Sequence, residues 1–205
     1  MVLFRSQGNG QIFEQGVQPL VTTPGDFWYD TVNNIPYQNI AGTFTRIGAG
    51  QLSELGSTTL GGAANQIILT GMTGKKNLII LFDVKGFNLA DVLLADFNGD
   101  ASAVYDTFYA QYPAAANTVS NGNWYYLQGA TSHTGRSQGM IVIRNESATN
   151  KILSHQGFVD TALQYVLSGG TWKNVAAQIT TVRLFGQNGK NLLAGSTITV
   201  LGFDE

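Results

Sequence analysis

The stretch from Gln178 to Gly202, QITTVRLFGQNGKNLLAGSTITVLG, constrains the fold more than any other part of the chain. Apolar residues recur among polar ones at Ile179, Val182 and Leu184, and again at Ile198 and Val200. A period near two is what a strand with one buried face requires. Between the two sets lies Gln187-Asn188-Gly189-Lys190, whose Asn-Gly pair can supply the two positive-φ residues of a tight turn. The sequence therefore predicts a closing β-hairpin whose last strand belongs to the core. Leu94 to Asp106, LADFNGDASAVYD, repeats the order of apolar strand, Asn-Gly-Asp turn and second strand.

Taken together, "FNGD…Y", Trp172, "ITTVRLF" and "AGSTITVLG" resemble the C-terminal β-domain of bacteriophage minor structural and tail-appendage proteins, over roughly residues 65–202. Near the N-terminus, TTPGDFWYDTVNNIPYQNIAGTFTRIG resembles the GDFWYDT-type β-module of phage tail-fibre N-terminal regions, with Phe44 where a second Trp is usual. The residues alone support a local structure there. Gly25-Asp26 makes a turn, Phe27-Trp28-Tyr29 a short aromatic strand, and Asn33-Asn34 a second turn before Pro36 to Ile40. A further break at Ala41-Gly42 precedes Thr43 to Ile47, which gives a three-stranded meander.

The remaining pattern fits an all-β chain. Strands are expected at Ala64 to Leu69, Leu78 to Val84, Leu93 to Phe97, Tyr105 to Tyr112, Trp124 to Leu127, Gln138 to Arg144, Lys151 to Val159 and Ala162 to Val166, with turn signals between them. Phe87 to Asp91 reads as a short helical turn, Ala114 to Asn123 as a loop, and Asp160 to Leu167 as the best helix candidate, cut short by Gly169-Gly170. No window sustains a 3.6-residue period, and no repeat of fixed period occurs. The expected architecture is an antiparallel β-sandwich, jelly-roll-like, over 64–205. It follows an attachment arm with a β-meander over 1–47 and a Gly-rich linker over 48–63. Trp172 is expected in the core.

Composition narrows the function. Charged residues make up 12 % of the 205, about half the usual share, and the formal net charge is −2. No basic field exists to hold nucleic acid. Uncharged polar residues fill the deficit, which suits strands set against neighbouring subunits. Cysteine is absent, so disulfides and thiolate metal sites are excluded. No apolar run approaches the roughly 18 residues of a membrane span, and MVLFRSQGNG lacks a signal-peptide core. The expectation is synthesis in a host cytoplasm and residence in a virion.

Signatures of chemistry are weak. Asp96, Asn98 and Asp100 are spaced like the first half of a calcium loop, but Ala101 and Thr107 stand where that loop needs Gly and a bidentate acid. A turn is the better reading, and no metal or cofactor is expected. His133 and His155 lie too far apart in sequence to suggest a metal pair. Asp83, Asp96, Asp100 and Asp106 are the only carboxylate cluster of interest for paired-acid hydrolysis. No G-x-S-x-G elbow and no P-loop occurs.

Two classes remain. The resemblance implies a non-enzymatic virion component, a homotrimeric short tail fibre or tail-tip protein, with capsid decoration as the alternative position. It would contact other virion proteins through its N-terminal arm, for which Phe27, Trp28, Tyr29 and Asp30 are the attachment candidates. The second class is a carbohydrate-binding module. Tyr109, Tyr112, Trp124, Tyr125 and Tyr126 are the aromatics expected to face a ligand such as a host-surface glycan.

Overall fold

The computed structural model describes residues 2–5, 11–15, 27–30, 32, 35–40, 43–46, 52–102, 105–112, 117–127, 132–160 and 164–204. The chain divides into two units, Met1–Gln51 and Leu52–Glu205. Every regular element among the described residues is a strand, and no helix there is long and apolar enough to cross a membrane.

The first unit is one sheet of β1 (Val2–Arg5), β2 (Gln11–Gln15), β3 (Phe27–Asp30), β4 (Ile35–Ile40) and β5 (Thr43–Arg46), in that spatial order. β3, β4 and β5 form the expected antiparallel meander. The β1–β2 hairpin joins it through a parallel β2–β3 pairing, which the sequence reading did not include. Trp28 is buried and stacks on Tyr37, with ring centroids 4.6 Å apart.

The second unit contains β6 (Ser53–Thr59), β7 (Gln66–Leu69), β8 (Asn77–Val84), β9 (Leu93–Phe97), β10 (Tyr105–Tyr112) and β11 (Asn117–Gly122). It continues through β12 (Tyr125–Tyr126), β13 (Ser137–Arg144), β14 (Lys151–Val159), β15 (Gln164–Trp172), β16 (Val182–Gly186) and β17 (Thr197–Phe203). An eight-stranded sheet runs β11-β10-β15-β14-β13-β8-β17-β6, and a four-stranded sheet runs β12-β9-β16-β7. All pairings within both sheets are antiparallel.

Pairing β6 with β17, β7 with β16, β8 with β13 and β9 with β12 folds the chain as a double ribbon laid alternately into the two sheets. That is the jelly-roll order. The hairpins β10–β11 and β14–β15 then widen only the larger sheet.

One core fills the sandwich. β8 alternates so that Leu78, Ile80, Phe82 and Val84 point inward, and they meet Ile67, Ala95, Phe97, Val182 and Leu184 of the smaller sheet. Ile179, Ile198 and Val200 are fully buried, as the alternation requires. Trp172 is fully buried against Phe97 and Tyr105, at centroid distances of 6.0 and 6.4 Å.

Several expectations need correction. β16 and β17 do not form a hairpin, because they lie in different sheets. The Asn188-Gly189 turn is present, with Gly189 at φ 70°. A second turn at Leu193–Ser196 then carries the chain across the sandwich, and Leu192 bridges to Ala64 and Phe87 on the way. The Phe97–Asp100 turn likewise joins strands of opposite sheets, with Asn98 and Gly99 at φ 55° and 68°.

The stretch 48–63 is not a simple linker, since it contains β6, the edge strand paired with β17. Phe87 to Asp91 makes two isolated strand bridges instead of a helical turn. The loop expected over 114–123 contains β11, and the helix candidate 160–167 runs into β15.

Candidate functional site

The attachment candidates lie on β3, where Trp28 is 7 % exposed and committed to Tyr37; the side chains of Phe27, Tyr29 and Asp30 fall outside the described residues. Tyr109 and Tyr112 lie on β10, opposite Ser168 and Tyr165 of β15, and their side chains also fall outside the described residues.

Tyr125 does not face a ligand. It is fully buried, its hydroxyl lies 3.1 Å from Ser168 Oγ, and burial pushes it up to about 12. Neighbouring residues of a strand point to opposite faces. Trp124 and Tyr126 are accordingly half-buried on the other side.

There they join a cluster on the outer face of the four-stranded sheet. β16 has the burial pattern BiBiB, so Val182 and Leu184 enter the core while Arg183 and Phe185 turn outward. The register sets Arg183 beside Asp96 on β9, and Phe185 beside Gln66 on β7. Trp124 meets Phe185 edge-on at 5.9 Å and 79°, and the Arg183 guanidinium lies 4.4 Å from the Phe185 ring centroid. Arg183 donates through Nε and Nη2 to Asp96 Oδ2, and its Nη1 donates to Gln66 Oε1 at 3.4 Å.

Asp96 is fully buried, and its Oδ1 accepts no hydrogen bond. Burial raises its carboxyl above the ordinary range, and Arg183 offsets part of that rise.

The other acids are separately engaged. Asp83 accepts two hydrogen bonds from Arg136 and one from Lys85; the Arg136 bonds chiefly hold it at about 2, against a smaller effect of burial. Asp100 accepts from Ser102, Asn174 and Trp172 Nε1, and these bonds outweigh burial to lower its carboxyl. Asp106 pairs with Lys173 at 2.8 Å. The four carboxylates thus serve four local contacts and make no acid–base pair. Among the described residues no three His, Asp or Glu side chains converge as a metal site.

His155 lies in the core with Nδ1 3.0 Å from Ser168 Oγ and its ring 5.7 Å from Phe82. Burial lowers it to about 3. Its Nε2 has no hydrogen-bond partner, so no carboxylate orients the imidazole as a hydrolytic triad demands.

The outer face of the eight-stranded sheet forms a second surface, which sequence reading missed. Leu81, Phe108, Val142, Ile152, Phe158, Tyr165 and Leu167 are exposed on it. A shallow groove of about 280 Å³ sits over Gly139 and Gly157, walled by Met140, Gln156, Phe158 and Tyr165. The signal was present in KILSHQGFV, where Ile152 and Phe158 are apolar on the face opposite to Leu153 and Val159. VRLFG similarly announces Arg183 and Phe185 on one face.

No family model and no curated protein matches the chain. Among solved structures it is similar to a mutant alginate lyase Aly36B in complex with an alginate tetrasaccharide. The identity there is 12 % over 82 % of this chain and 83 % of that one, with a TM-score of 0.35. A second Aly36B structure gives 12 % identity over 81 % and 82 %, with a TM-score of 0.32. Scytalido-glutamic peptidase with a peptide-based transition-state analogue gives 12 % over 72 % and 66 %, with a TM-score of 0.26. Likeness at this level carries no conclusion about activity.

Proposed function

We propose that this protein is a non-enzymatic structural component of a bacteriophage virion, a trimeric surface appendage of the short-tail-fibre or tail-tip kind. The observation that carries the reading is the apolar outer face of the eight-stranded sheet. Its seven exposed large side chains, 39–55 % accessible by residue, cover on the order of 600 Å², near the roughly 800 Å² per partner of a standard interface. Contiguous apolar surface of that size marks a contact site. Arg144 with Glu146, and Asp83 with Arg136 and Lys85, pair internally on β13, β8 and the segments flanking them, so the apolar face has a polar rim. The occupant is a second copy of this chain, and three copies around an axis match the trimer that the sequence resemblance implies.

The small N-terminal unit, with its aromatic β3, serves as the attachment element. Light scattering should give a trimeric mass for the full chain, and Leu167→Glu combined with Phe158→Glu should give a folded monomer. Antibody labelling of particles in the electron microscope should place the chain on the tail. A monomeric parent chain would overturn the assembly, and unlabelled particles would overturn the virion assignment.

The Trp124 cluster favours a glycan-binding role within the same protein.

A further inference from the structure

We infer that the outer face of the four-stranded sheet, at Trp124, Phe185, Arg183 and Gln66, binds a neutral oligosaccharide. The inference rests on the reading of the protein as a surface appendage and names the chemistry of what it contacts.

Four features converge. Trp124 and Phe185 form a fixed aromatic corner, 5.9 Å between centroids, on a face where solvated strands ordinarily carry polar residues. Trp124 is half-buried, so it lies at the surface, and the C–H face of a pyranose packs against an indole placed there.

Beside the corner, Arg183 is immobilised from two sides. Asp96 takes Nε and Nη2, and Phe185 lies under the guanidinium. Its remaining edge, at Nη1, has only the long 3.4 Å contact to Gln66. Guanidinium and amide together present donors and an acceptor at the rim of the aromatic corner, as a ring of sugar hydroxyls requires.

Arg183, whose side chain is 28 % exposed, is the member of the ion pair that a ligand reaches, while Asp96, sealed from solvent, holds the guanidinium in place. Charge selects the class of sugar. Arg183 and the buried Asp96 cancel, so the site offers no net charge to offset the hydration that a uronate or an amino sugar gives up on entering. An uncharged glycan meets neither penalty.

The test uses the full chain on an array carrying neutral, uronate-bearing and amino-sugar oligosaccharides, followed by calorimetry with the best neutral hit. Binding should be confined to neutral glycans. Trp124→Ala should weaken it about tenfold or more and Gln66→Ala several-fold, while Trp124→Phe recovers most of it. All three variants should melt within a few degrees of the parent, since these side chains reach solvent.

No neutral glycan bound, stronger binding of uronates, or affinity untouched by Trp124→Ala would each overturn the site. The array uses isolated protein. Its failure leaves the particle assignment standing, whereas glycan binding by a chain missing from particles removes that assignment and keeps the site.

Discussion

Asp91 holds Asn188 across 97 positions of sequence: its Oδ1 accepts the Asn188 backbone N–H at 3.0 Å and the side-chain amide at 2.8 Å. Oδ2 accepts the Lys190 N–H, and Oδ1 also takes that of Val92. A fully buried carboxylate thus organises the turn that sends the chain from β16 toward β17. Asp91→Ala removes the acceptor of these N–H groups, that of Val92 in the interior, and should cost about 3 kcal/mol. The melting temperature should fall by roughly 6–12 °C, a shift that calorimetry measures directly.

Gly186 belongs to the same lock. A Cβ at that position would run into Asp91 Oδ2. Gly186→Ala should therefore destabilise by an amount similar to Asp91→Ala, and the double variant should cost less than the sum, because both break one contact. Gly189→Ala at the exposed turn tip, where a Cβ meets open space but φ is 70°, should cost only about 1 kcal/mol.

Deleting residues 196–205 should abolish soluble expression. β17 is not a terminal flap, since it lies between β8 and β6 and pairs with both. Burying Ile198 and Val200 alone contributes about 1.5–3 kcal/mol each, a large share of an ordinary domain stability. The complementary deletion, of residues 1–51, should leave a cooperatively melting sandwich, because its core residues all come from the second unit. Circular dichroism melts of residues 52–205 check this.

Acid should destabilise the sandwich in a definite window. His155 titrates at about 3 when folded, below the roughly 6.5 of an unfolded histidine. The unfolded chain therefore binds the proton first, and stability is lost as pH falls from about 6.5 toward 3. His133, lowered by burial, acts in the same sense. Below about pH 4, loss of the Asp83 carboxylate adds to the fall, while raised Asp96 opposes it. Urea melts at several pH values should show this slope, and His155→Gln should flatten it. An unchanged slope would show that His155 does not control it.

Much of the fold could be read from residue order. The strands over Leu78–Val84, Leu93–Phe97, Tyr105–Tyr112 and Lys151–Val159 follow from alternation and β-branched or aromatic content, and Trp172 is core by its size, with its one polar atom satisfied by Asp100. Asn98-Gly99 and Asn188-Gly189 disclosed their turns. They did not disclose partners, because positive φ bends the chain without choosing the sheet that receives the next strand. The choice rests on distant groups, such as Asp91 for Asn188, and on Asn98, which accepts the N–H groups of Thr180 and Thr181. β6 was hidden because SELGSTT offers no large alternating side chains, and its place comes from the free edge of β17. The Trp124 corner was half visible. Trp124 and Tyr126 stood out by type, but Arg183, Phe185 and Gln66 reach them only through cross-strand register.

The β6–β17 pairing has a mechanical consequence. Ser53 sits opposite Gly202, so the chain enters and leaves the sandwich at the same end of adjacent antiparallel strands. Tension applied between Leu52 and Phe203 does not shear the ladder all at once. It opens the pairs in succession, beginning with Ser53 and Gly202, as a zipper opens. β17 is also paired with β8, from Phe203 opposite Asn77, and this second ladder anchors it while β6 peels away. A tether drawn through the N-terminal end of this unit therefore yields first at its edge strand, leaving the packed double ribbon behind it closed.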